Sequence, residues 1–168
     1  MLLQRLTEAL ASRRPADTVV VLGVGSELRS DDAAGLHVAR RVAALRLPGV
    51  HALEAGPSPE NATAALRALN PRFVLMVDAA AMREAPGSLR LIDPANVGGA
   101  SFGTHGLPLT VLAQYLARET GCVVSILGIQ PQSVEFGEEL SPPVRAAVNE
   151  VTLALAACLG GPAATASD

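Results

Sequence analysis

Two adjacent aspartates, Asp31 and Asp32, follow the run "VVVLGVGSELRS" in a chain of 168 residues. A third, Asp78, closes the run "FVLMV", where a charge would be costly if it pointed into a core. His105 stands in "FGTHGLPL", at the start of a helical pattern. Two carboxylates and an imidazole are a ligand set for Zn²⁺, Ni²⁺ or a similar borderline cation. Each residue also has a plainer role open to it. Asp32 could be a helix-start carboxylate favoured by the dipole, Asp78 a capping residue and His105 a loop histidine. The remaining histidines, His37 and His51, fall inside a helical and a strand pattern and suit such plain roles.

Other chemistries fit less well. Gly23-x-Gly25 would need a third glycine at position 28 for a dinucleotide fingerprint, and Leu28 stands there. Glu27, Asp31 and Asp32 also put negative charge where a pyrophosphate would sit. These glycines are expected to permit a tight turn off the strand instead. "GASFG", Gly99 to Gly103, matches the letters of a serine-hydrolase elbow, but no core strand precedes it. His105 comes ahead of every later acid, so the usual serine, acid, histidine order fails as well.

The elements that must position the acids are legible. Val19–Val24, Phe73–Val77 and Cys122–Ile129 are continuous apolar runs, as expected for strands covered on both faces. "VHAL", Val50–Leu53, reads as a second inner strand and "LRLI", Leu89–Ile92, as an edge strand. Ser58-Pro59 and Ser141-Pro142 each place an N-cap serine before a proline suited to a first helical turn. Leu109, Leu112 and Leu116 form an apolar stripe closed by Gly121. The alternation predicts one three-layer α/β/α domain around a mostly parallel sheet. In such a sheet ligands gather beyond the carboxyl ends of the strands. If the first and third strands are neighbours, Asp32, Asp78 and His105 can meet in one crevice.

Within that crevice the two adjacent aspartates should part company. Once helical, neighbouring residues point about 100° apart, so both are not expected to reach one ligand. The one left free is expected to act as N-cap of the helix carrying Leu36, Ala39 and Val42, with Ser30 as a substitute.

Leu2, Leu3, Leu6 and Leu10 recur at helical spacing, which divides the chain into a helical extension (1–17), the α/β domain (18–159) and a disordered tail (160–168). Gln4, Arg5 and Glu8 interrupt the apolar core that a signal peptide needs, and no apolar run reaches a membrane-spanning length. With 49% hydrophobic but only 2% aromatic residues, the core must be built of Ala, Val and Leu. All 13 basic residues are arginine, yet the net charge of −3 gives no basic field. Nucleic acid and anionic membranes are therefore not expected partners. Cys122 and Cys158 form no CxxC and suit buried thiols in a reducing cytoplasm, which is the expected location.

At the acidic positions the chain resembles the hydrogenase maturation endopeptidases that process the large subunit of NiFe-hydrogenases, those of the formate hydrogenlyase type most of all. The matching stretches are "LGVGSELRSDDAAG", "GPSPENATAALRALNP", "VLMVDAAAM", "PGSLRLIDP", "THGLPLTVLAQYL" and "LGIQPQSVEFGEELSPPV", in family order. Ser26 stands where the family usually has asparagine. The resemblance implies a twisted five-stranded sheet flanked by helices. It implies metal-contacting and catalytic roles for Asp32, Asp78 and His105, which leaves Asp31 as the expected N-cap. The activity implied is removal of a short C-terminal extension from the large-subunit precursor after nickel insertion. Nickel would then be contacted in the precursor, held by its cysteines, and not kept permanently by the enzyme. That metal could report occupancy or polarise the scissile carbonyl as a Lewis acid, or Asp32 and Asp78 could act directly on water. A nickel-dependent chaperone that binds the immature subunit without cutting it is the non-enzymatic alternative.

Overall fold

A computed structural model of the chain describes residues 1–96 and 108–160. It contains helix α1 (Leu2–Ala9), strand β1 (Val19–Val24), α2 (Ala34–Leu45), β2 (Val50–Gly56), α3 (Thr63–Leu69) and β3 (Phe73–Ala79). After these come β4 (Leu89–Ile92), α4 (Leu109–Thr120), β5 (Val123–Ile129) and α5 (Pro142–Leu159). The strands form one five-stranded sheet in the order β2-β1-β3-β5-β4, parallel except for β4, which runs antiparallel to β5.

The three continuous apolar runs are the three interior strands. Their side chains alternate between two cores, which is why no polar face breaks the runs. Val19 and Val21 of β1 and Phe73, Leu75 and Val77 of β3 pack with α1, α2 and α5. Val20, Leu22, Val74 and Met76 pack with Leu66 of α3 and with Leu109, Leu112 and Leu116 of α4. β2, expected as an inner strand, is instead an edge, and its residues are only partly covered. β4 occupies the other edge, as its short, mixed sequence suggests.

From β1 the chain crosses to β2 on one side of the sheet, then returns to β3 on the other. The gap between the carboxyl ends of β1 and β3 is thus the point where the winding reverses, the usual ligand crevice of an open α/β sheet. The α1 helix buries Leu2 and Leu6 beside Leu155 and Leu159 of α5. No described helix is long and apolar enough to cross a membrane. Residues 161–168, most of the expected tail, and Gly99 to Gly103 of the "GASFG" match lie outside the described residues.

Candidate active site

Glycines let the strands, the acidic turn and α2 close onto one another. A Cβ at Gly23 would collide with the Gly35 carbonyl, and one at Gly35 with the carbonyls of Val24 and Val77. Gly25 has φ +135°, which L side chains rarely adopt, and a Cβ there would strike the Asp32 carbonyl. The glycines therefore serve contact between helix and strand, which fits their expected role in a turn better than a phosphate cradle. Gly35 escaped the sequence analysis, although a glycine in a first helical turn is a visible anomaly there. Gly35→Ala should lower stability by roughly 2–3 kcal/mol through backbone displacement. A urea midpoint indistinguishable from that of the unaltered protein would refute the close approach.

Between β1 and α2, Ser30–Ala33 form a single 3-10 turn carrying both acids. With about three residues per turn, adjacent side chains diverge, and here they take different partners. Asp32, 6% exposed, accepts a hydrogen bond on Oδ2 from the Ser26 amide at 2.9 Å. The donor is backbone, so this bond does not depend on serine replacing asparagine at that position.

Asp78 stands one residue beyond Val77, which pairs with Gly23, and its own partner on β5 is Gly128. It is 3% exposed. Burial first, then repulsion from Asp32, push its pKa up to about 8 from the ordinary 3.8, against an opposing hydrogen bond from the Ala79 amide. At neutral pH the pair therefore keeps a proton on Asp78. A cation between the carboxylates would take over that proton's task and relieve both causes, so the donor chemistry fits a divalent metal. Among the described residues no three ligating side chains gather, and this site contributes two. His105, the third expected member, lies outside the described residues.

Asp31 corrects an expectation. It is fully buried and caps no helix: α2 has Ala33 at its N-cap position with no side-chain cap bond. The Asp31 carboxylate instead accepts hydrogen bonds from the amides of Gln132 (2.8 Å), Ser133 (3.1 Å) and Ser141 (2.7 Å). The Ser141 hydroxyl donates a fourth at 2.8 Å. Ser141 does occupy the N-cap position of α5, but its hydroxyl is spent on Asp31 and makes no cap bond. Ser58 likewise precedes a proline-led 3-10 turn without a side-chain cap bond. Ser30, the expected substitute cap, has φ 46° and donates its hydroxyl to the Glu135 carbonyl at 2.9 Å. One aspartate thus faces the crevice and the other fastens the loop after β5.

An open groove lined by Gly25, Ser26, Glu27, Leu28, Glu54 and Pro57 runs from the ends of β1 and β2 toward the Asp32 turn. A peptide segment lying in it would pass the Ser26 amide that holds Asp32.

The sequence matches the family model for hydrogenase maturation proteases over residues 36–157. The chain belongs to the hydrogenase maturation protease family. It is thus a peptide hydrolase. The Hydrogenase 3 maturation protease of Escherichia coli (strain K12) is 37% identical over 135 residues, covering 80% of this chain and 86% of that protein. Among solved structures, the crystal structure of a NiFe hydrogenase maturation protease from Thermococcus kodakarensis KOD1 superposes with a TM-score of 0.83 at 31% identity. The superposition covers 92% of this chain and 98% of that one. The solution structure of an endopeptidase from Escherichia coli gives a TM-score of 0.73 at 36% identity, over 86% and 94% of the two chains. The family match itself starts at Leu36, so it includes Asp78 and not Asp32; Asp32 enters the site through the switch point and the close approach of its carbonyl to Gly25.

Proposed function

We propose that this maturation protease removes the C-terminal extension of a NiFe-hydrogenase large-subunit precursor once nickel has been inserted. The observation that carries the proposal is the buried Asp32–Asp78 pair at the switch point, which needs a proton on Asp78 when no cation is present. In this reading nickel arrives with the substrate. Asp32, Asp78 and His105 contact it, Asp78 gives up its proton as the metal docks, and the groove beside Ser26 receives the chain running to the scissile bond.

The same raised Asp78 pKa favours one other mechanism. An acid at Asp78 beside the Asp32 carboxylate is a pair able to deprotonate water and protonate the leaving amine without a metal. Product masses from nickel-loaded and nickel-free precursor separate these. Cleavage confined to the loaded precursor is the expected result. Equal cleavage of both assigns the chemistry to the carboxylates alone. Tight binding of the loaded precursor with no mass change identifies a chaperone and overturns the proposal.

A further inference from the structure

Phe136 is 85% exposed and Leu28 is 56% exposed. Neither lies on a slack loop. The Gly137 amide donates to the Leu28 carbonyl at 2.9 Å, and the Ser30 amide to the Gly137 carbonyl at 2.7 Å. Arg29 Nε donates to the Val134 carbonyl at 3.1 Å, and Asp31 fastens the same loop at Gln132, Ser133 and Ser141. A loop fixed this firmly keeps an aromatic ring in water, although burying that ring would be favourable. It has therefore met in advance the ordering cost that binding would otherwise bear.

Two observations say what covers it. Leu28 and Ser26 line one groove, and the Ser26 amide holds Asp32, so Leu28 stands beside the candidate site, with Phe136 next to the Gly137 that bonds its carbonyl. Exposed acids flank the pair along the chain, Glu27, Glu135, Glu138 and Glu139, and outnumber the neighbouring Arg29, which is bonded to the Val134 carbonyl. Glu27 already pairs with Arg40, and no ion pair involves the other three among the described residues. We infer that Leu28 and Phe136 form a specificity-determining knuckle. It seats an apolar side chain of the polypeptide substrate, in a stretch flanked by basic residues, outside the segment that enters the crevice. This rests on the proposed peptidase site and adds a recognition element to it.

The test measures binding apart from cleavage. Asp32→Asn protein is titrated with the cognate large-subunit precursor, and Phe136→Ala is added to it. Association should weaken at least about tenfold, as for an aromatic anchor, and Phe136→Leu should restore most of the loss. Reversing Glu138 and Glu139 to arginine should also weaken association and flatten its salt dependence. Leu153→Ala, at an equally bare position on α5 (71% exposed), should change nothing. Association within twofold of the parent after Phe136→Ala would overturn the knuckle, and so would failure of leucine to rescue. Either result, with unaltered protein still cleaving the precursor, would leave the peptidase site intact.

Discussion

Asp78→Asn is expected to abolish cleavage and yet, at pH 8, to make the precursor-free protein more stable. The sign follows from the proton. Below pH 4 both the folded and the unfolded chain hold it, and Asp78 contributes no pH dependence. Between the ordinary 3.8 and the folded value of about 8, the unfolded chain has lost the proton while the folded chain retains it. The folded state then binds more protons, so stability falls as pH rises, by up to about 1.4 kcal/mol per pH unit. Above pH 8 the penalty is constant. Asparagine is neutral throughout and removes the slope, gaining several kcal/mol at the alkaline end of the window. Urea unfolding of both proteins at pH 5 and pH 8 reads the effect directly. Parallel pH profiles would show that Asp78 is not held protonated by its surroundings.

Asp31→Ala should do something quite different from the loss of a helix cap. A cap is worth about 1 kcal/mol. Removing a buried carboxylate that satisfies three amides and a hydroxyl strands those donors, and the loss should be on the order of 3–5 kcal/mol. For a chain of this size that is a fall of roughly 10 °C or more in melting temperature. The loop from Gln132 to Ser141 should also lose amide protection in hydrogen exchange, because its fastening is gone. Cleavage should drop with it, since that loop abuts the turn carrying Asp32. A stability loss near 1 kcal/mol with normal loop protection would restore the simpler picture of a cap.

What the sequence revealed depends on the range over which each signal acts. β1, β3 and β5 were legible because strands buried on both faces leave an unbroken apolar record. The edge position of β2 was not, because "VHAL" is apolar enough for either place and only the neighbouring strand decides. Asp32 and Asp78 could be singled out because strand ends in an α/β sheet are ligand positions whatever the details. Asp31 was misread for the opposite reason. Its partners lie 101 to 110 residues away, and no local pattern announces them. The nearest helix offered a plausible task for a short acid, and the tertiary fold gave it another. Gly35 carried a local signal, but its meaning, contact with the ends of two strands, exists only once those strands are side by side.

That long reach of Asp31 also sets when the enzyme can come into being. Asp31 is synthesised early, while Ser141, which supplies two of its four hydrogen bonds, emerges from the ribosome 110 residues later. By then β5 has been made and can pair with β3, but α2 still lacks the α5 residues it packs against. Closing so long a loop is slow and comes late in folding. A nascent chain therefore has both crevice aspartates but no fastened rim around them. The rim is fastened only once Ser141 is available, and a chain that stops short of it lacks two of the four bonds to Asp31.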